Sequence, residues 1–212
     1  MAKEGIPVIL TIVLLSIILI TGALVTKGNF LKILVVVSWF LIIFSIYFFR
    51  DPERTIPMGD NVIVSPADGK IIFFQETKEN EFFKTEVQKV SIFMSAFDVH
   101  VNRIPIDGQV IYFNYQKGKF HPAFKDNACY ENEQTIIAIQ NDKIKILFKQ
   151  IAGIMARRIV CHIRESSKVK KGDRFGMIKF GSRIDLFLPK QVQLKIKLNE
   201  KVKAGETVLG LY

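Results

Sequence analysis

The sequence predicts a mainly β domain, a flattened barrel or sandwich, preceded by a two-helix transmembrane hairpin. Three observations predict it. Two apolar runs, each near the length of a membrane-crossing helix, open the chain. After residue 54 no long segment repeats apolar residues at helical spacing. Short apolar runs follow instead, separated by Gly, Pro, Asn and Asp turns, which is how strands read. The predicted domains are therefore 1–54 and 55–212.

Residues 6–26 are apolar apart from small hydroxyl side chains, and residues 30–49 apart from Lys32, Ser38 and Ser45. Each run approaches the ~20 residues that span the hydrocarbon core as a helix. Only Lys27-Gly28-Asn29 separates them, so they read as a tight hairpin with both ends on one side. A cleaved signal peptide is the competing reading of the first run, but its charged leader is weak and a second apolar run follows at once. Lys3, Arg50 and Arg54 flank the outer ends, against Lys27 and Lys32 near the turn. That bias places the polar domain on the cytoplasmic face of the cell membrane. Asp51-Pro52-Glu53-Arg54 breaks the second helix.

The polar domain begins with a strand, a Pro66-Ala67-Asp68-Gly69 turn and a second strand. Taken alone, Asp68 is a turn residue. Residues 90–97 read as a buried strand, and Asp107-Gly108 turns the chain into another at 109–113. His100 alternates with Val99 and Val101 and so faces away from them; alone it reads as a structural histidine. His121 stands before Pro122 in a loop, held extended. Residues 135–139 and 143–150 pair around Asn141-Asp142. Arg157 and Arg158 are adjacent in an apolar run, where strand geometry would send them to opposite faces.

A short repeat closes the chain: Val169-Lys170-Lys171-Gly172-Asp173 is echoed by Val202-Lys203-Ala204-Gly205-Glu206. The turn resembles one that recurs in biotinyl- and lipoyl-type domains, which makes the polar domain barrel-sandwich-like. Between the repeats lies Lys179-Phe180-Gly181-Ser182-Arg183, with strand patterns on either side. A Gly-Ser pair there is read in two ways. It is a β-bulge or tight hairpin. Or it is chemical: the serine hydroxyl attacks the uncrowded glycine carbonyl, the ester eliminates, and hydrolysis leaves a pyruvoyl group on the new N-terminus.

The net charge is +10, and residues 1–54 supply +2 of it, so the polar domain carries +8. A basic domain tied to a bilayer suits an anionic lipid surface. No nucleic-acid motif appears, and nucleic acid is not predicted as a partner. Cys129 and Cys161 have neither metal-ligand spacing nor the density of a disulfide scaffold. No metal site is predicted.

The sequence resembles the phosphatidylserine decarboxylase proenzymes of the short, membrane-anchored type. The residues that carry the resemblance run in order along the chain. They are the apolar hairpin into Phe48-Phe49-Arg50-Asp51-Pro52, then Ser65-Pro66-Ala67-Asp68-Gly69-Lys70, then Phe97-Asp98-Val99-His100-Val101-Asn102-Arg103-Ile104-Pro105. Ile151-Ala152-Gly153-Ile154-Met155-Ala156-Arg157-Arg158-Ile159-Val160 and Phe180-Gly181-Ser182-Arg183 complete the set. The resemblance implies self-cleavage between Gly181 and Ser182 into a β chain of 1–181 and an α chain of 182–212 that stay associated. It implies a covalent pyruvoyl cofactor made from Ser182, a Schiff base to the amine of a serine phospholipid, diacyl or ether-linked, and release of CO2 to leave the ethanolamine lipid. It also implies a relay of an aspartate and a histidine with the serine. Asp68 matches the aspartate. The relay histidine of larger bacterial forms falls at Arg103, whose pKa makes it a poor base. The role therefore passes to His100 or His121, or cleavage needs no histidine. From residue type alone, Arg157, Arg158 or Arg183 would hold the lipid phosphate or carboxylate. A homo-oligomer is left open.

Two rivals come from other classes. One is a non-enzymatic, membrane-anchored carrier or adaptor module of barrel-sandwich type, which the Val-Lys-x-Gly repeats favour. The other is a hydrolase with intact Ser182 as nucleophile, against which stands the lack of a Gly-x-Ser-x-Gly elbow.

Overall fold

The structure, a computed structural model, describes residues 1–26, 28–119, 121, 131–153, 158–179 and 182–212. It divides into two compact units, Met1–Pro52 and Glu53–Tyr212.

In the first unit a 3-10 turn (Lys3–Gly5) leads into α1 (Ile6–Thr26), and Gly28 precedes α2 (Asn29–Phe48). Both helices are long and apolar enough to cross a membrane by length and composition. Their polar side chains are satisfied locally. The Thr11 and Thr21 hydroxyls donate to carbonyls four residues back, at 2.9 Å each. Ser38 donates to Ser16 across the pair of helices at 3.0 Å. The Ala2 N–H donates to the Phe49 carbonyl at 2.8 Å, so the start of α1 and the end of α2 lie together.

The second unit is mainly β, as the sequence predicts. Its strands are β1 (Val62–Val64), β2 (Gly69–Glu79), β3 (Thr85–Met94), β4 (Val101–Arg103), β5 (Gly108–Gln116), β6 (Gln134–Gln140) and β7 (Lys145–Ala152). They continue as β8 (Ile159–Cys161), β9 (Lys168–Val169), β10 (Arg174–Ile178), β11 (Ser182–Leu188), β12 (Gln193–Leu194), β13 (Lys201–Val202) and β14 (Val208–Leu211). A curled eight-stranded sheet, in the order β13-β2-β3-β11-β7-β6-β5-β9, forms a half-barrel. Two three-stranded sheets, β1-β14-β12 and β4-β10-β8, accompany it.

Read inward from either end, that order runs alike, a two-residue strand and then a hairpin, and the turns show why. The fold is duplicated. Pro66-Ala67-Asp68-Gly69 has a counterpart in Pro105-Ile106-Asp107-Gly108. Each aspartate accepts an N–H at 2.8 Å from the residue before the glycine of a Val-Lys-x-Gly turn: Asp68 from Ala204, Asp107 from Lys171. Val202 pairs with Gly69, and Val169 with Gly108. The Gly205 N–H donates to the Ser65 carbonyl and the Gly172 N–H to Ile104, both at 2.8 Å. Gly172 and Gly205 take φ of +85° and +75°, a region other residues enter only with strain, and both pack against Ile56.

The core lies on the inner face of the large sheet. On β11, Ile184, Leu186 and Leu188 point inward beside Ile92 and Val90 of β3 and Phe148 of β7. Phe148 meets Phe175 of β10 edge-on at 5.3 Å, joining two sheets. A smaller cluster of Val87, Ile136, Ala138, Leu147 and Phe187 covers the outer face under Phe82 and Phe83. Central strands are thus buried on both sides, which explains the unbroken apolar run at 136–139.

Candidate active site

Ser182 is the first residue of β11, and it is fully buried. β10, which leads to it, belongs to another sheet, so the break before Ser182 is a crossing between sheets rather than a hairpin. Met94 of β3 and Ala152 of β7 flank Ser182 in register. Its hydroxyl donates to the Met94 sulfur at 3.2 Å. A thioether is a weak acceptor, so the hydroxyl is oriented without being ionised. The same sulfur accepts from Asn102 Nδ2 at 3.8 Å, and Asn102 Oδ1 accepts from Gln150 Nε2 at 2.8 Å. Asn102, Gln150 and Ser182 are all fully buried.

One predicted residue, His121, is tied to this end of the sheet. Ala152 donates its N–H to the Glu133 carbonyl at 2.9 Å, and its carbonyl accepts from Asn132 Nδ2 at 2.7 Å. Asn132 also grips the His121 backbone, N–H to Oδ1 and Nδ2 to carbonyl, at 2.8 Å each. His121 is thereby tied to the strand that borders Ser182, while its ring Nε2 lies 3.0 Å from Glu131. Lys119 first, then His121, holds the Glu131 carboxyl below its usual range. His100 is fully buried, two residues before Asn102, and its Nδ1 lies 2.9 Å from the Asp98 carbonyl. That bond requires the proton on Nδ1.

Asp68 is held differently from its counterpart. Beyond the shared backbone bond, both its oxygens accept from Arg54 Nη2, at 2.9 and 2.8 Å. Arg54 Nη1 lies 3.5 Å from Glu206. The turn itself is fastened to β4 by the Arg103 N–H, which donates to the Pro66 carbonyl at 2.9 Å. Arg103 sits between the duplicated turns, donating from Nη1 to the Gly172 carbonyl at 2.8 Å.

Arg183 is not brought to Ser182. Neighbours on a strand face opposite ways, and Arg183 lies on the outer face with Asp185, Ser91 and Lys89. Its Nε and Nη2 donate to Asp185 at 2.5 and 2.9 Å, and Nη2 lies 3.1 Å from Ser91 Oγ. Arg158 precedes β8 and is exposed. It lines a groove with Phe113, Tyr115, Glu133, Thr135 and Arg164. Partial burial, then the hydrogen bond to Glu133, pushes the Tyr115 phenol up. Burial does the same to the Cys161 thiol. Gly181, Arg157 and Cys129 lie outside the described residues.

Arg54, Asn102 and Gln150 were not among the site residues that the sequence pointed to. Gln150 carried a signal. It shares inward parity with Phe148 and Ala152, where an amide is out of place.

Comparison with known proteins is consistent along the chain. The family model of phosphatidylserine decarboxylase matches residues 41–210. A phosphatidylserine decarboxylase proenzyme of Chlorobium phaeobacteroides is 49% identical over 172 residues, 81% of each chain. One from Syntrophus aciditrophicus is 42% identical over 212 residues, covering 100% of this chain and 97% of the relative. One from Geobacter metallireducens is 42% identical over 212 residues, 99% and 95%.

Proposed function

This chain belongs to the phosphatidylserine decarboxylase family, enzymes of the carboxy-lyase class, and on that footing we propose that it is a self-processing, pyruvoyl-dependent decarboxylase of serine phospholipids. The observation that carries the reading is the place of Ser182. It opens a strand held on both sides, by β3 and β7, at the point where the chain crosses between sheets. A cut before it leaves residues 182–212 bound through β11, β13 and β14 to β3, β7, β2 and β1 of the larger piece. Association of the two chains after cleavage follows from that pairing.

In the processing step, the Ser182 hydroxyl adds to the Gly181 carbonyl and the peptide C–N bond breaks, giving an ester. Loss of the Ser182 Cα proton expels the Gly181 carboxylate and leaves dehydroalanine. Water then replaces the nitrogen, which departs as ammonia. Met94 orients the hydroxyl but takes no proton at neutral pH, so the base is left to His100, to His121 or to a path without a histidine. The surroundings suit the product, since beyond the loss of the residue 182 nitrogen and a new carboxylate on Gly181 the rest of β11 keeps its pairing with β3 and β7. Once formed, the pyruvoyl ketone would supply the group that takes the substrate amine as a Schiff base and draws in the electrons of the departing carboxylate. The proposed membrane anchor is α1 with α2, and the proposed side is the cytoplasm. The adaptor reading finds no support in the three relatives described above, each named as a decarboxylase proenzyme.

Intact mass under denaturing conditions, with CO2 release from phosphatidylserine vesicles, tests the proposal. Two pieces, of 1–181 and of 182–212 with a keto terminus, are expected. An unbroken active chain would refute it.

The duplicated turn separates the chemical role of Asp68 from its structural one. Asp68→Asn and Asp107→Asn both keep an oxygen for the turn N–H. If Asp68 serves processing, its variant slows cleavage at least tenfold while the Asp107 variant is cut normally. Arg54→Met is expected to slow cleavage too and to cost about 3 kcal/mol, because it leaves a buried carboxylate unpaired. Cleavage rates on a denaturing gel decide it; equal behaviour of the two aspartate variants would reduce Asp68 to a turn residue.

A further inference from the structure

The groove that Arg158 lines holds about 550 Å³ and lies between the inner face of β5 and β6 and the edge of β8. Thr135 lines it, is 1% exposed, and its hydroxyl has no hydrogen-bond partner among the described residues. Directly opposite Thr135 in register is Gln150. Its Nε2 donates to Asn102, but its Oε1 is buried and likewise without a partner. Buried polar groups are nearly always paired, because an unpaired one is costly. Two of them at opposed positions mark a place where something else bonds.

The groove also carries fixed positive charge. Arg164 Nη1 donates to the carbonyls of Cys161 and Ile163, both at 2.8 Å, and its guanidinium lies 4.7 Å over the Phe113 ring. No carboxylate pairs with Arg164 or Arg158 among the described residues. Two arginines against Glu133 leave one net positive charge. A serine phosphodiester headgroup, with phosphate, carboxylate and ammonium, carries one net negative charge.

The distances suit that ligand. Thr135 is two strands across from Ser182, with β7 between, and two residues along, since Ser182 pairs with Ala152 and Thr135 with Gln150, which together is about 12 Å. In the headgroup the phosphorus lies four bonds from the amine nitrogen, about 5 Å when extended. An amine at Ser182 therefore sets the phosphate over β7, between Ser182 and the strand that carries Thr135. The Arg158 carbonyl accepts from the Lys179 N–H at 3.3 Å, three residues ahead of Ser182, which ties that wall to the site.

We infer that this groove is the headgroup subsite, with Arg158 and Arg164 on the phosphate, the Thr135 hydroxyl donating to a headgroup oxygen, and Gln150 Oε1 accepting an N–H from the amine beside Ser182. The inference rests on the reading of the chain as a serine-lipid decarboxylase. Arg164, Thr135 and Gln150 thereby act as specificity-determining residues for one headgroup.

The test uses the full chain in detergent with two probes. Dihexanoyl-phosphatidylserine reports KM and kcat, and glycerophosphoserine binding to the uncut Ser182→Ala protein, by calorimetry, reports affinity without turnover. Arg164→Gln and Thr135→Val are expected to raise KM, and weaken glycerophosphoserine binding, about tenfold, with kcat little changed. Arg164→Lys should recover part of the loss, and Lys143→Gln, an exposed charge on the β6–β7 turn, should change neither. If wild type is cut and active but these variants match it in both measurements, the subsite is elsewhere and the decarboxylase reading stands. Tighter binding of O-phosphoserine than of glycerophosphoserine would overturn the diester assignment. A wild type that neither turns over the lipid nor binds glycerophosphoserine would overturn both.

Discussion

Ser182→Ala is expected to remain a single chain of 212 residues and to release no CO2 from phosphatidylserine. The replacement removes one oxygen and its hydrogen bond to the Met94 sulfur, and nothing else. Ala152 and Met94 still flank the position, so β11 keeps its ladder and the fold is retained. The loss of a hydrogen bond to a weak acceptor costs about 1 kcal/mol at most. The loss of function is complete, since alanine has no oxygen to attack the Gly181 carbonyl. Ser182→Thr is the companion variant. It retains the hydroxyl but adds a methyl in a fully buried place, and elimination from it would leave a longer keto acyl group. Slow cleavage with poor turnover is the expected outcome. Activity in an unbroken Ser182→Ala chain would remove the processing mechanism altogether.

Much of this arrangement was legible in the residues, and the limits were physical. Strand alternation and turn residues are local properties, so the strands, the apolar helices and the Pro66-Ala67-Asp68-Gly69 turn could be read directly. The second half of the repeat, the Pro105-Ile106-Asp107-Gly108 turn, was harder to see. It spans four residues, and the hairpins that follow differ in length, which breaks the period. Gln150 had the wrong chemistry for its parity, but its unpaired oxygen depends on the β6–β7 register, which no local pattern reveals. Arg54 could not be tied to Asp68, because the linker that carries it reads as no more than a helix break. His121 owes its place to Asn132, an unremarked loop residue whose amide bridges to Ala152. Arg183 is the opposite case. Its guanidinium suggested a phosphate or carboxylate ligand, yet the same period of two that defines the strand sends it to the face opposite Ser182.

Arg183→Met is accordingly expected to lower stability rather than substrate affinity. The Asp185 carboxylate is fully buried and takes two donors from Arg183, with Lys89 3.1 Å away as its second cation. Removing one partner of a buried ion pair strands the other, at about 3–5 kcal/mol. Lys89 remains to offset part of this, so a loss near 3 kcal/mol is expected, seen as a lower urea midpoint of the full chain in detergent. Methionine keeps the length and volume of the arginine stem, which limits any cavity. The double variant Arg183→Met, Asp185→Leu removes the stranded carboxylate as well and should regain a large part of the loss. Cleavage before residue 182 and the KM for dihexanoyl-phosphatidylserine should be unchanged in both. The contrary result, normal stability with a KM raised tenfold, would mean that the outer-face arginine reaches the lipid after all. That would require β11 to present both of its faces to substrate, which a strand paired on each side by β3 and β7 and buried along its whole length does not do.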